Sequence, residues 1–186
     1  MKITPVDNVP DLFKIEHILP DSLIAAINTQ DLWQYPWEQQ RMQLDWKRRK
    51  LITDDSVLAE VDWHYNQALD VIADAAHVEF EHQHCWSSIW LDYTGFDCSI
   101  HEDGAEREYN PPMAMQVYLT QSESNLGTVF YHDQQGQQVR YAFPYQANTG
   151  YLMLNHAGQW HGMPCAVPVG HLRLSSYTYF GKFNHK

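Results

Sequence analysis

The apolar residues in the first part of the chain change period along the sequence, and each period predicts a different element. Residues 12–19 alternate weakly and predict a strand, after which Pro20-Asp21-Ser22 supplies the start of a helix that ends near Thr29. Residues 32–51 are irregular and rich in Trp, Gln and Arg, so we interpret them as an ordered loop. Asp54-Asp55-Ser56 then caps the longest predicted helix. Its apolar positions recur at helical spacing: Val57, Leu58, Val61, Tyr65, Leu69, Ile72 and Ala76.

After His77 the pattern shortens to alternating runs separated by polar or glycine-containing turns, which is typical of β-strands. The predicted strands cover residues 88–93, 98–101, 113–120, 128–132, 138–143, 151–155 and 171–180. Two helices followed by many short strands predict an α+β, mainly β fold. We expect a double-stranded β-helix core of the jelly-roll or cupin-like type, with the N-terminal helices packed on the outside of one sheet.

The chain has 186 residues, which is enough for one well-filled core and short for two. We therefore expect a single domain over residues 1–186, with a helical support region in 1–87 and the jelly-roll core in 88–180. Within that core, the predicted strand 113–119 has two distinct faces. Met113, Met115, Val117 and Leu119 form an apolar row that would pack between the sheets or under the helices, whereas Ala114, Gln116 and Tyr118 form a more polar row that would line a barrel mouth.

Composition and charge narrow the classes of function. The apolar share of 44% and aromatic share of 13% describe a globular protein. The net charge of −11 repels phosphate backbones, so we expect no nucleic-acid partner, and the basic run 47–50 is interpreted as solvent-exposed. No stretch reaches the length of a membrane span and the start lacks a secretory signal, which predicts a cytoplasmic protein without a membrane partner. Three cysteines at unpatterned spacing predict reduced thiols.

The sequence His101-Glu102-Asp103, with His161 much later in the chain, supplies two imidazoles and one carboxylate. Side chains two residues apart on a strand point the same way, so we expect His101 and Asp103 to face one site while Glu102 points away. His161 would arrive from a distant strand. Such a ligand set occupies three adjacent corners of an octahedron and leaves three corners free, which favours a reactive iron over a structural metal.

Taken together with their neighbours, these residues resemble the iron(II)- and 2-oxoglutarate-dependent dioxygenases, and within them the prolyl-4-hydroxylase-like branch. The resemblance runs from about Trp90 to Phe180, roughly half of the chain. It rests on the order and spacing of Tyr93 and Gly95, His101-Glu102-Asp103, Val117-Tyr118-Leu119, Gly127-Thr128-Val129-Phe130, Thr149-Gly150-Tyr151-Leu152-Met153-Leu154, His161, Val167-Pro168-Val169-Gly170, Arg173 and Ser175.

This resemblance implies that His101, Asp103 and His161 bind Fe(II) and form the catalytic centre. It implies that Arg173 holds the distal carboxylate of the co-substrate 2-oxoglutarate, a task that suits the planar fork of a guanidinium. Tyr118, Ser175 and Tyr93 are the further cofactor-binding candidates, and Ser175 shares a strand face with Arg173. Because the carboxylate Asp103 is present, the resemblance favours hydroxylation with O2, which releases succinate and CO2.

The loop 106–112 follows the metal strand and should cover the cavity, with Trp160 on the opposite rim. Loops of this kind commonly carry specificity, so Arg107, Tyr109 and Trp160 are the candidate substrate-binding residues. The first candidate substrate is a prolyl residue of a peptide or protein, and the alternative is a free amino acid or another small metabolite. The sequence leaves the oligomeric state and a requirement for ascorbate open.

Two alternatives to the hydroxylase lie in the same fold class. A cupin-type metalloprotein would bind a metal without 2-oxoglutarate and would have no need of Arg173, and a non-catalytic interaction domain would be expected to lack metal ligands. A separate histidine-rich segment is a candidate zinc site. It lacks a second pair at ligand spacing, so we interpret it as surface histidine; its members are His77, His82, His84 and Cys85.

Overall fold

The computed structural model describes residues 1–29, 49–52, 55–82, 84–103, 113–122, 125–155 and 158–186. Within these ranges the chain forms three helices, which are α1 (Asp21–Asn28), α2 (Asp55–Gln67) and α3 (Leu69–Ala76). The strands of the same ranges are β1 (Lys2–Pro5), β2 (Leu12–Glu16), β3 (Arg49–Ile52), β4 (Val78–Phe80), β5 (Cys85–Tyr93), β6 (Met113–Tyr118), β7 (Val129–Tyr131), β8 (Val139–Ala142), β9 (Thr149–Leu154), β10 (His161–Gly162), β11 (Leu172–Phe180) and β12 (Phe183–His185).

Two sheets form the layers of the core. The large sheet has the strand order β1-β2-β9-β6-β11-β5-β3, and the small sheet has the order β10-β7-β8. Their facing surfaces pack on each other through aromatic side chains, since Phe130 of β7 lies 5.2 Å from Tyr151 of β9 between ring centroids. Strands β12 and β4 pair separately. The predicted double-stranded β-helix core is confirmed.

The helices cover the outer face of the large sheet, as predicted. The row Met113, Met115, Val117 and Leu119 is fully buried in the same cluster as the apolar side of α2 and α3. Tyr65 of α2 reaches the sheet, where its hydroxyl lies 2.6 Å from Oγ of Ser176 on β11. The opposite row of β6 packs in the cluster between the two sheets. Alternation along β6 therefore separates the helix-covered core from the cavity side, because successive side chains point to opposite faces.

The long predicted helix is in fact two helices that meet at Ala68. At this break the side chain of Asn66 donates to the carbonyl of Cys85 at 3.2 Å and accepts from its amide at 3.0 Å. These hydrogen bonds tie the end of α2 to the start of β5. The apolar residues keep their helical spacing through Ala68, so the sequence pattern alone did not reveal the break between the two helices.

Other predicted elements differ from those of the structure where a segment pairs with one that is far away in the sequence. The prediction of a loop is wrong at residues 49–51, because Arg49–Ile52 forms β3 against β5; residues 32–48 lie outside the described residues. The predicted strand 98–101 is also wrong, since this segment contributes only an isolated bridge at its end. The first predicted strand stops at Glu16, where His17 turns the chain with a positive φ of 56°. Strands β1, β4 and β12 are too short to produce a recognisable alternation.

No helix among the described residues is long and apolar enough to cross a membrane. All three cysteines are free thiols, as expected, and burial raises the pKa of the Cys85 thiol to about 12.

Gly150 lies on β9 opposite Val117 of the paired strand β6, where an added side chain has no space. A Cβ at this position would lie 1.9 Å from the backbone oxygen of Gln116, and backbone in the centre of a sheet cannot move away cheaply. We expect Gly150→Ala to lower the free energy of unfolding by about 3 kcal/mol or more. Urea unfolding would measure this loss. Gly181→Ala is the matched control, because its nearest heavy atom would lie at 3.9 Å, and it should change stability by less than about 1 kcal/mol. Equal effects of the two substitutions would contradict the steric argument.

Candidate metal centre

The side chains of His101, Asp103 and His161 converge where the chain around His101 meets β10. Their potential ligand atoms all lie within 4.8 Å of one another. Nε2 of His101 is 3.5 Å from Oδ1 of Asp103, and Nε2 of His161 is 3.9 Å from Oδ2 of the same carboxylate. Among the described residues this is the one group of three or more histidine, cysteine or acidic side chains with the geometry of a metal site.

Backbone pairing brings the distant histidine to the first pair. His101 and His161 exchange two backbone hydrogen bonds, at 2.9 and 2.8 Å, and form an antiparallel bridge. On its other side His161 pairs with Phe130 of β7. Gly162 permits the close approach, because a Cβ there would lie 2.9 Å from the carbonyl oxygen of Cys98. Asp103 follows the bridge in irregular chain, so the two ligands of the first pair do not share a regular strand.

A hydrogen bond at Nδ1 orients each of the two imidazoles. Nδ1 of His101 lies 2.8 Å from the carbonyl oxygen of Ser99, and Nδ1 of His161 lies 2.9 Å from that of Gln159. A carbonyl only accepts, so each Nδ1 carries a proton and each Nε2 faces the centre. Phe130 stacks on the His161 ring at 5.2 Å and limits its rotation.

The electrostatics of the group favour a cation. Burial raises the pKa of Asp103, but the hydrogen bond from His101 and the nearby imidazole of His161 outweigh it and lower the pKa to about 2. Burial opposes protonation of His101, yet its hydrogen bond with Asp103 raises its pKa to about 11. Burial dominates at His161 and lowers its pKa, which keeps this ring neutral and able to bind a metal. The carboxylate thus stays charged and attracts a positive partner.

Tyr177 is a part of this centre that the sequence reasoning missed. Its hydroxyl donates to Oδ2 of Asp103 at 2.7 Å and so restrains the carboxylate. The signal for it was present, since Tyr177 lies two residues beyond Ser175 on the face of β11 that carries Arg173. The sequence did not indicate that β11 lies close enough to Asp103 for this hydrogen bond.

We expect Tyr177→Phe to weaken metal binding by about tenfold, because outer hydrogen bonds of this kind orient a ligating carboxylate. Isothermal titration of the protein with Ni(II) or Co(II) would measure the change. Tyr141→Phe removes a hydroxyl from a half-buried tyrosine on β8 and serves as the control, for which the affinity should stay the same. An unchanged affinity in Tyr177→Phe would show that this hydrogen bond does not support the metal ligand.

Deeper in the cavity, Arg173 is buried and held by three hydrogen bonds. Nη1 donates to Oδ2 of Asp92 at 2.8 Å, Nε donates to the carbonyl of Leu126 at 2.8 Å, and Nη2 donates to Oε1 of Gln116 at 3.1 Å. The guanidinium carbon lies 5.5 Å from the centre of the Tyr118 ring. Arg173 is therefore a fixed positive group at the inner end of the cavity.

A polar network surrounds this arginine. Gln116 donates to Oγ of Ser175 at 3.1 Å and accepts from Oγ1 of Thr128 at 2.9 Å. The hydroxyl of Tyr118 accepts from the amide of Thr128 at 2.7 Å. Tyr118 and Ser175, both cofactor-binding candidates, thus lie in the same pocket as Arg173.

Tyr93 occupies a different position from the other cofactor-binding candidates. It pairs with Leu172, whereas its neighbour Asp92 pairs with Arg173. Successive residues of a strand point to opposite faces, so Tyr93 points away from the face that carries Asp92. Asp92 is the residue beside the guanidinium, and the sequence reasoning missed it because the register of β5 against β11 was not known.

The candidate substrate residues are only partly covered by the structure. Arg107 and Tyr109 lie outside the described residues, and Trp160 is partly exposed directly before His161. Glu102 points away from the centre, as expected. Its Oε2 accepts from the amide of Gly158 at 2.8 Å, which ties the metal-binding segment to the chain that leads into Trp160.

A row of aromatic rings leads outward from the centre along β11 and β5. Tyr177 and Tyr179 lie 5.0 Å apart, Tyr179 and Trp86 lie 6.0 Å apart, and Trp86 and His84 lie 6.4 Å apart between ring centroids. Trp86 is 48% exposed. In the part of the chain that the structure describes, His84 joins this row and does not form a metal cluster with Cys85.

No family model matches the sequence, and no curated protein matches it. Solved structures do match. A prolyl-4-hydroxylase of Pseudomonas putida aligns with a TM-score of 0.61 at 16% identity, over 92% of this chain and 92% of that chain. A prolyl hydroxylase of Trichoplax adhaerens, in complex with a hypoxia-inducible factor peptide fragment, aligns with a TM-score of 0.66 at 11% identity, over 94% and 84%. HygX of Streptomyces hygroscopicus, with nickel, 2-oxoglutarate and hygromycin B bound, aligns with a TM-score of 0.61 at 12% identity, over 94% and 84%. The chain shares its fold with these proteins.

Proposed function

We propose that the protein is an Fe(II)- and 2-oxoglutarate-dependent dioxygenase that hydroxylates an unactivated C–H bond and releases succinate and CO2. The observation that carries this proposal is that one face of β11 links two sites. Tyr177 contacts the group of two imidazoles and one carboxylate, and Arg173 is buried four residues away on the same face.

The donor set suits iron. Two neutral nitrogen ligands and one oxygen ligand on one side of an ion match the facial arrangement of non-haem Fe(II) oxygenases, which leaves coordination positions for a chelating co-substrate and O2. When bound, iron would supply the activation of O2 and the oxidation of the C–H bond. His101, Asp103 and His161 would hold it, and Tyr177 would keep the carboxylate of Asp103 in place.

The inner end of the cavity suits the distal carboxylate of 2-oxoglutarate. Tyr177, which touches Asp103, and Arg173 stand four residues apart on the same face of β11. That separation is about 13 Å of strand, which an arginine side chain and a five-carbon dicarboxylate can bridge. A cupin-type metalloprotein without 2-oxoglutarate has no need of a buried cation at this point, so Arg173 favours the dioxygenase.

The aromatic residues between these two ends exclude water. Phe130, Phe143 and Tyr151 are buried and in mutual contact beside His161. Ligand charges placed in such a pocket interact more strongly than they would in bulk solvent. The side chains therefore bind and orient the reactants and keep the reacting centre dry.

The first candidate substrate is a prolyl residue in a peptide. Two of the similar structures are prolyl hydroxylases, and one of them carries a peptide. The exposed end of the aromatic row at Trp86 and Tyr179 supports this choice, since rings of this kind offer flat apolar surface to an extended chain. A small-molecule substrate is the second candidate, because the similar HygX structure holds hygromycin B.

The test is to load the protein with Fe(II) under nitrogen, add 2-oxoglutarate, admit oxygen and measure succinate. Parallel reactions contain proline-containing peptide libraries or small polar metabolites, with and without ascorbate, and mass spectrometry detects a gain of one oxygen atom. Succinate that forms faster with a peptide supports the prolyl hydroxylase. Absence of succinate under all of these conditions would rule out the proposed reaction.

A further inference from the structure

Arg173 and Asp92 form an ion pair that is buried on both sides. They face each other on the neighbouring antiparallel strands β11 and β5, with 2.8 Å between Nη1 and Oδ2. The side chain of Asp92 is 0% exposed and that of Arg173 is 3% exposed. The positive charge at the inner end of the cavity is thus already balanced by a carboxylate of the protein.

We propose that Asp92 limits the affinity of this pocket for a dicarboxylate co-substrate and makes it tolerant of a neutral polar tail. The inference rests on the proposed function, because it concerns the group that Arg173 would hold. A carboxylate that approaches the guanidinium must also approach the buried charge of Asp92. Two carboxylates in a pocket with little water repel each other, which offsets part of the attraction to the arginine.

The hydrogen bonds of Arg173 show how a ligand would still be held. A guanidinium has five N–H groups, and three of them donate to Leu126, Asp92 and Gln116. Within the described residues these bonds use one N–H of each terminal nitrogen, so the second N–H of each is open to a ligand or to the hydroxyl of Tyr118. The co-substrate can therefore bind without breaking the ion pair, and Asp92 stays beside it in the complex.

A neutral carbonyl group can use the same arginine. Its oxygen can accept from an N–H group of Arg173. An uncharged tail is not repelled by Asp92. The pocket should therefore distinguish 2-oxoglutarate from 2,5-dioxohexanoate, a neutral-tailed analogue with a methyl ketone in place of the distal carboxylate, much less than an uncompensated arginine would.

Binding to Zn(II)-loaded protein, which cannot turn over, tests this inference by calorimetry. In the wild type we expect the dissociation constants of 2-oxoglutarate and 2,5-dioxohexanoate to differ by less than about tenfold. Asp92→Asn keeps the shape and removes the charge. It should tighten the binding of 2-oxoglutarate by about tenfold and change that of 2,5-dioxohexanoate by less than about threefold.

Three results would overturn the inference. These are weaker or unchanged binding of 2-oxoglutarate by Asp92→Asn, equal tightening of both ligands, or a wild-type preference for 2-oxoglutarate above about tenfold. The last measurement needs no variant, so it decides the matter even if Asp92→Asn does not fold. A wild-type protein that binds neither keto acid with any divalent metal would overturn the proposed function as well, whereas tight 2-oxoglutarate binding with no gain in Asp92→Asn overturns this inference alone.

Discussion

Substitution of His161 by alanine is expected to abolish tight metal binding and to lower the rate of succinate formation by more than about a thousandfold. His161 is 4% exposed, its ring is locked by Phe130 and the carbonyl of Gln159, and its Nε2 faces Asp103. In the proposed centre, removal of one of three protein ligands would leave His101 and Asp103, too few to hold Fe(II) against water. A bound metal would supply several kcal/mol of stabilisation to the reaction, so its loss should remove catalysis.

Titration with Ni(II) and the succinate assay would measure the two effects. His132→Ala is the matched control, since His132 is exposed on the turn between β7 and β8 and its ring accepts a hydrogen bond from Nε of Arg140 at 3.3 Å. Its metal affinity and activity should equal those of the wild type. Normal metal binding by folded His161→Ala would remove the basis of the proposed centre.

Arg173→Ala is expected to impair both co-substrate binding and stability. Loss of the guanidinium leaves the buried carboxylate of Asp92 without this ion pair, and breaking a buried pair in this way costs about 3 to 5 kcal/mol. The same variant should lose most of its response to N-oxalylglycine, an inert analogue of 2-oxoglutarate, since the distal carboxylate of the ligand has no cation to meet.

Thermal shift of the metal-loaded proteins would show both effects as a lower melting temperature and a missing ligand-induced rise. Arg140→Ala serves as the control, because Arg140 lies on β8 and makes longer hydrogen bonds of 3.3 and 3.4 Å to His132 and Gly158. It should melt near the wild type and keep the full response. An equal rise with N-oxalylglycine in the wild type and in Arg173→Ala would show that Arg173 is not the anchor.

The fold was largely accessible from local patterns. The strand that matches its predicted range best is β11, which begins one residue after the predicted start and is buried at most of its positions. The segment around residue 100 shows the limit of this reasoning. It resembles a short strand, but it makes only one bridge, because the chain there bends to meet β10. A period of two residues predicts extended chain and does not predict whether a partner strand lies alongside.

The features of the site also divide into those that local patterns predicted and those that they did not. The residues around His101 and Arg173 predicted the ligand types and the alternation of β11. Both features depend only on side-chain chemistry and on neighbours in the sequence. The roles of Asp92 and Tyr177 were not predicted, because each depends on a contact between segments that are far apart: Asp92 meets Arg173 through the register of β5 and β11, and Tyr177 meets Asp103 across the cavity.

The sequence by itself determined which side chains share a face of a strand, the chemistry they offer and the layers in which the strands would pack. These properties follow from local geometry and from the cost of exposing apolar surface. Only the tertiary structure decided which faces meet, the break between α2 and α3, and the pairing of a buried acid with the arginine. Those outcomes depend on strand register and on hydrogen bonds between distant segments, and no local period encodes them.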